Sequence, residues 1–311
     1  MKKILLTISA LSAALFSTAA NAEISQSAST QAVYVDNGGN SLARIGGAFT
    51  FGLSTVTDAG VTITAKAGIS NSTEATGDNY AETGMSALTF GFASGSLTVA
   101  DDVTMSDGIG LVGEVTTHAG ANHPTHTNDV KIAYDDGSGI QASTSVGDMT
   151  ITGTYIYDGA HTSDIDGGTS TGAGVALSMP VGAGSLTFGT ANTETATADN
   201  NDTGAALSMP LSSGTLKVGY IQTTGDTAAN KGTAYSAAYK TTVAGASVSV
   251  GYTTYSANGN DSASVEALVS TSLGGGASLF VEYSNLSGSG VAAAGQDTDE
   301  SGIAIGTSVS F

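Results

Sequence analysis

The stretch RIGGAFTFGLS, residues 44–54, sets a pattern that the rest of the chain repeats. Its odd positions carry the large apolar side chains Ile45, Phe49, Phe51 and Leu53. Its even positions carry the small or polar residues Arg44, Ala48, Thr50, Gly52 and Ser54. Because successive side chains of a β-strand point to opposite faces, this alternation predicts a strand with one apolar and one polar face.

The same period of two recurs along the chain, and no segment of comparable quality has helical spacing. We predict 16 strands, at residues 24–35, 42–55, 61–70, 82–92, 96–100, 129–145, 149–158, 171–180, 184–194, 203–210, 215–223, 233–241, 246–256, 262–272, 277–286 and 301–311. An even number of strands suits a closed antiparallel barrel.

The breaks between these strands have two lengths. Short Gly- and Ser-containing turns, such as 57–60, 212–214 and 274–276, alternate with longer polar stretches, of which 101–128 is the longest. A repeat of about 30 residues, seen in Ala176–Pro180 and Ala206–Pro210, makes each unit one hairpin. Short turns on one rim and long loops on the other are typical of outer-membrane barrels.

Residues 1–22 have the three parts of a secretory signal peptide. Lys2 and Lys3 precede an apolar stretch, and Ala20-Asn21-Ala22 forms an A-x-A site that predicts cleavage between Ala22 and Glu23. The following chain, 23–311, has no apolar run near the roughly 18 residues of a transmembrane helix. An exported chain with this composition and alternating pattern is therefore either a water-soluble all-β protein or a membrane barrel.

The composition excludes several functions. The formal net charge of −19, from 8 Lys+Arg against 27 Asp+Glu, argues against nucleic acid as a partner. The absence of Cys excludes disulfide scaffolds, thiolate metal sites and thiol catalysis. The four His fall in predicted loops, and no nucleophile-elbow motif is present, so we predict no enzymatic activity.

The position of the charges bears on the choice between the two all-β folds. Arg44, Lys66, Lys131, Lys217 and Lys240 share the parity opposite the large apolar residues, which alone suits either a sandwich or a barrel. Polar faces rich in Gly, Ala, Ser and Thr, and aromatics near strand ends such as Tyr155 and Tyr157, Tyr252 and Tyr255, and Phe90 and Phe92, favour the barrel. A secreted or surface-attached acidic β-protein, of adhesin or surface-layer type, is the alternative.

The final strand, Ile303–Phe311, resembles the terminal strand of Gram-negative outer-membrane porins. The turn at 274–278 and the last hairpin resemble those of the 16-stranded general diffusion porins of alphaproteobacteria. This resemblance implies a trimer of water-filled channels in the outer membrane, in contact with lipid and lipopolysaccharide, that passes ions and small polar solutes. It also implies that Val309 and Phe311 are read by the barrel assembly machinery.

In the porins that this chain resembles, the loop after the fifth strand folds into the barrel and narrows it. Here that loop, 101–128, carries Asp101, Asp102, Asp107 and Glu114, and we expect Arg44, Lys66 and Lys131 to project from the wall opposite them. Acid facing base would set a field across the channel. Because acids outnumber bases, we predict a modest preference for cations.

We predict no metal centre and no cofactor. His118, His123 and His126 have Gly-rich flanks and no acid at a fixed ligand spacing, so titration of the loop between about pH 5 and 7 is the expected consequence of these residues. The acidic loop pieces 164–167 and 199–202 could bind Ca²⁺ weakly, but neither matches a full calcium-loop pattern.

Overall fold

The computed structural model describes residues 23–36, 41–73, 79–100, 110–112, 130–131, 138–157, 171–194, 199–225, 231–257, 260–288 and 299–311. In these ranges the strands are β1 (Glu23–Asp36), β2 (Ser41–Val56), β3 (Thr62–Thr73), β4 (Asn79–Phe92), β5 (Gly95–Ala100), β6 (Gly110–Val112), β7 (Val130–Lys131), β8 (Ser138–Val146), β9 (Met149–Tyr157), β10 (Thr171–Val181), β11 (Gly184–Glu194), β12 (Asp199–Leu211), β13 (Gly214–Gly225), β14 (Gly232–Val243), β15 (Ala246–Ala257), β16 (Asn260–Gly274), β17 (Ala277–Gly288) and β18 (Asp299–Ser310). None of the described residues belongs to a helix long and apolar enough to cross a membrane.

Sixteen of these strands form one closed antiparallel barrel. Each strand pairs with its neighbours in the chain, except that β5 pairs with β8 and that β1 pairs with β18 to close the barrel. The closing pair is completed by two backbone hydrogen bonds between Ala28 and Phe311, at 2.8 and 3.2 Å. Closure leaves no unpaired sheet edge, as a β-protein in lipid requires.

Tight turns close one rim of the barrel, which we call the turn rim; the opposite end is the loop rim. Positive φ angles occur in these turns at Gly182 (60°), Ser212 (55°), Ala244 (51°) and Gly245 (85°), and such angles allow a two-residue turn to follow the twist of the strands. Ser212 and Ala244 adopt this conformation despite having a Cβ atom, which costs roughly 1–2 kcal/mol per residue.

The two faces of the wall differ as the alternation predicts. The outer face exposes large apolar and aromatic side chains, among them Ile45, Phe51, Val175, Val250 and Ile305. The inner face carries mostly small or polar residues, with a buried apolar stripe across β9–β14 formed by Ile156, Ala176, Ala191, Ala206, Ile221 and Ala234. Most large apolar side chains therefore face away from the interior, which is the reverse of a soluble sandwich.

The predicted all-β barrel of 16 strands is confirmed, and most strand limits agree within three residues. One predicted strand, 129–145, is wrong at its start and right at its end, where it coincides with β8 (Ser138–Val146). Val130–Lys131 pairs with Gly110–Val112 in a separate two-stranded sheet and is not part of the wall. Apolar alternation continued through Val130, Ile132 and Tyr134, but it does not distinguish a wall strand from a short strand outside the wall.

Candidate functional site

The candidate site is the inner face of the barrel, because most charged side chains of the wall centre lie on it. Lys66, Lys217 and Lys240 are exposed on it, in the half of the wall nearest the turn rim. Lys217 and Lys240 lie on adjacent strands, where Lys240 pairs with Thr215, two residues from Lys217. The register places position 44, occupied by Arg44, opposite Val33 on the same face but near the loop rim.

Acidic residues of the inner face lie higher on the wall. Glu266 of β16 and Glu282 of β17 are both fully buried, at 0% exposure, at mid-height. They are diagonal neighbours, because Glu266 pairs with Ser284 and Glu282 pairs with Leu268. Asp202 of β12 is 8% exposed and lies near the loop rim. Glu266, Glu282 and Asp202 thus lie farther from the turn rim than the three inner-face lysines, although Glu23, on the same face, lies at the turn rim with them.

An apolar group adjoins this acidic pair. Val33, Val35, Phe280 and Ala304 are buried together on β1, β17 and β18, with Leu268 against them. Phe280 is an inner-face aromatic that the sequence interpretation did not anticipate, and Tyr255, predicted as part of an outer girdle, also shares the inner parity with Thr253. Tyr155, Tyr252 and Phe92 lie exposed on the outer face, as predicted.

The described pieces of the connection between β5 and β8 are Gly110–Val112 and Val130–Lys131. Together they form a two-stranded sheet, β6 with β7, which contacts β12, β13 and β14, strands that are not neighbours of β5 or β8 along the wall. The connection runs from 101 to 137, nine residues longer than the loop predicted at 101–128.

Several predicted site residues lie outside the described residues, namely Asp101, Asp102, Asp107, Glu114, His118, His123 and His126. Arg44 and Lys66 occupy the inner-face positions predicted for them. The placement of Lys131 on the wall is wrong, because this residue belongs to β7 in the connection between β5 and β8. In the part of the chain that the structure describes, no three His, Asp or Glu side chains come close enough to hold a metal ion.

Two further predicted features can be placed. Phe311 is 78% exposed beside the start of the closing pair, and Val309 pairs with Thr30 and Ala277 in an outer-face position. The acidic piece 199–202 is not a loop, because Asp199–Leu211 is a single strand. Strand alternation therefore continues through it and places Asn200 and Asp202 inward, a placement missed when the strand was predicted to start at residue 203.

Comparison with known proteins agrees with the fold. A family model described as Gram-negative porin matches residues 8–311. An anion-selective porin from Comamonas acidovorans superposes with a TM-score of 0.69 at 14% identity, covering 94% of this chain and 100% of that chain. A mutant of Rh. blastica porin superposes with a TM-score of 0.64 at 17% identity, covering 93% and 100%.

In-vitro folded OmpT, an outer membrane protein of Vibrio cholerae solved in a trimer form, has a TM-score of 0.69 at 13% identity, covering 93% of this chain and 99% of that chain. Identities at this level show a shared fold alone. No curated protein matches the sequence.

Proposed function

The chain belongs to the Gram-negative porin family, an outer-membrane family, and from this we propose that it forms a water-filled channel for passive diffusion of ions and small hydrophilic solutes. The observation that carries the proposal is the inverted wall of a closed barrel of 16 strands, apolar outside and small or polar inside. Lipid solvates the outer face, and the inner face suits water. Porins are channels, and we propose no catalytic activity, cofactor or metal-dependent chemistry.

We propose a modest preference for cations, supported by the order of charges along the wall. Near the loop rim, Asp202 lies on the inner face, and the register puts positions 82, 300 and 44, two of them Glu and one Arg, on the same face. Glu266 and Glu282 follow at mid-height, and the lysines come last, near the turn rim. A solute entering from the loop rim meets negative charge first, which concentrates cations there.

We also propose that the segment 101–128 is the constriction. Its described piece, Gly110–Val112, contacts β12–β14, which supports an inward path for the whole loop. Asp101, Asp102, Asp107 and Glu114 would then face the wall bases Arg44 and Lys66, whereas Lys131 would belong to the constriction itself.

The remaining assignments concern assembly. We propose removal of 1–22 between Ala22 and Glu23, insertion through recognition of Val309 and Phe311 by the barrel assembly machinery, and a homotrimer in contact with lipid and lipopolysaccharide. The trimer form of the Vibrio cholerae neighbour supports this oligomeric state as a hypothesis for the present chain. Family membership and the membrane-type wall speak against the alternative of a secreted or surface-attached β-protein.

Planar bilayers test the channel and its selectivity together. Protein purified in detergent and refolded should insert with stepwise conductance, in groups of three for a trimer, and a salt gradient should give a reversal potential of cation sign. A reversal potential of anion sign would contradict the charge argument and leave the channel intact. Absence of conductance from correctly folded barrels would contradict the channel itself.

A further inference from the structure

The start of β12 holds two side-chain oxygens that are buried without a hydrogen-bond partner. They are Oδ1 of Asn200 and Oδ1 of Asp202. Both residues lie on the inner face, two positions apart, and the Asp202 side chain as a whole is 8% exposed. Buried polar atoms are nearly always satisfied, and a buried carboxylate oxygen without a donor is especially costly.

A threonine lies opposite each of these two residues on a neighbouring strand. The register sets Asn200 opposite Thr193 of β11, and Asp202 opposite Thr223 of β13. The Thr223 hydroxyl is hydrogen-bonded to the Asp202 carboxylate. Thr193 is itself buried on this face. A carboxylate, an amide oxygen and two hydroxyls thus share one patch of the wall, and none of them carries positive charge.

The backbone beneath this patch is fixed from the other side of the sheet. Three consecutive carbonyls of β12 accept side-chain hydrogen bonds from neighbouring strands: Asn192 Nδ2 donates to the Asn200 carbonyl at 3.3 Å, Thr224 Oγ1 to the Asn201 carbonyl at 3.3 Å, and Thr190 Oγ1 to the Asp202 carbonyl at 2.9 Å. The two inward oxygens are therefore carried on a backbone that is held in place, which favours preorganised binding.

The preceding hairpin provides an internal reference. Gly172 of β10 corresponds to Asp202 in the 30-residue repeat, and it pairs with Thr193 just as Asp202 pairs with Thr223. The backbone and the threonine are thus present twice. The carboxylate is present only in the second hairpin, so it is not needed to form a hairpin of this kind.

We propose that Asn200 and Asp202 bind a hard divalent cation, with Ca²⁺ the best match, at the inner wall near the loop rim. Oxygen-only donors of this kind suit Ca²⁺, which accepts carboxylate, amide and water oxygens in flexible geometry. Thr193 and Thr223 supply neighbouring hydroxyls, and water completes the coordination. With one carboxylate, the affinity belongs to the weak range of about 10⁻⁴–10⁻³ M. This site goes beyond the proposed channel function and does not depend on it.

Calcium titration of the refolded, chelator-treated full barrel in detergent tests the site, with calorimetry and Tb³⁺ luminescence as readouts. The wild-type protein should show a saturable site, and Asp202→Asn should weaken it at least tenfold. Asp199→Asn is the matched control, because Asp199 lies on the same strand but is exposed on the outer face. It should leave the affinity unchanged.

The reference hairpin supplies a second variant. Asp202→Gly installs the residue found at position 172 and should abolish the same binding step, and a heat-shift gel should show that both variants remain folded barrels. The proposal is overturned if the wild type shows no saturable binding, if Asp202→Asn binds as the wild type does, or if Asp199→Asn loses as much affinity. None of these outcomes depends on conductance, so failure of the channel proposal is distinguishable.

Discussion

The hairpins β10–β11 and β12–β13 are repeats of one another 30 residues apart, but only the second carries charge on its inner face. Identical residues occupy matching places on both faces, with Leu177 and Leu207 and Met179 and Met209 on the outer face and Pro180 and Pro210 on the inner face. On the inner face, Gly172 and Thr187 of the first hairpin correspond to Asp202 and Lys217 of the second.

This difference separates two roles within one strand. The outer parity must meet lipid, so its central positions stay apolar in both hairpins even where the residue changes, as from Val175 to Ala205 and from Phe188 to Val218. The inner parity faces the barrel interior and is free to carry charge, which it gains at positions 202 and 217 of the second hairpin. Charge therefore enters the second hairpin at two heights, acid near the loop rim and base near the turn rim, without altering the hairpin that carries it.

The largest effect should come from placing charge on the outer parity. Val175→Arg, in the middle of β10 and exposed on the outer face, should lower the free energy of unfolding by about 2–4 kcal/mol, because lipid cannot solvate the guanidinium. Urea unfolding of the barrel in lipid vesicles measures this.

Thr187→Lys is the matched control for that substitution, since it places a base on the inner face where the second hairpin has Lys217. It removes the hydrogen bond between Thr187 and Ser178 and should cost less than about 1.5 kcal/mol. Equal losses for the two variants would contradict the assignment of the faces.

A smaller effect is expected from the turns. Gly182 and Ser212 occupy the same place in the two hairpins, with φ of 60° and 55°. Ser212→Gly should therefore stabilise the barrel by about 1 kcal/mol, and Gly182→Ala should destabilise it by a similar amount, because only Gly adopts this conformation without a Cβ penalty. The midpoints of urea unfolding give both values, and changes of the same sign would refute the explanation.

The smallest effect concerns ion selectivity. Exchanging the residues of the two hairpins, as Lys217→Thr or Thr187→Lys, should change the cation-to-anion permeability ratio about twofold in opposite directions, since a unit charge about 8 Å away in salt-screened water contributes roughly 0.2 kcal/mol, with opposite sign for cations and anions. Reversal potentials in a salt gradient measure the ratio. Two variants shifting it in the same direction would show that these positions do not act through charge.

The sequence allowed the wall to be predicted well because alternation is a local signal. The predicted strand 184–194 has the same first and last residue as β11, since Leu186 and Phe188 alternate with small residues between two turns. The position of Val130 and Lys131 was harder to predict, because they alternate like wall residues. Only their pairing with Gly110–Val112 and the contact of that sheet with β12–β14 show that they lie outside the wall.

The candidate site on β12 was predicted as a weak Ca²⁺ site in a loop, and its position on the strand was missed for a related reason. Asp199–Asp202 has the composition of a loop, and composition outweighed alternation in setting the start of the strand at 203. Cross-strand pairing shows that the strand begins at Asp199. Because side chains alternate along a strand, Asn200 and Asp202 then point inward. For Glu266 and Glu282, by contrast, parity in the sequence is enough to place both on the inner face. That they are neighbours depends on the register between β16 and β17, which the sequence does not give.

The pairing of β1 with β18 has a consequence for how the barrel is made. Nearly every other pairing joins strands that follow each other in the chain, whereas this one brings Ser29 beside Ser310. Contacts between residues so distant in sequence form slowly, because the chain loses the entropy of a very long loop before it gains the bonds. Hairpins should therefore assemble early and independently, and the seam between the first and last strands should set the rate at which the barrel becomes complete.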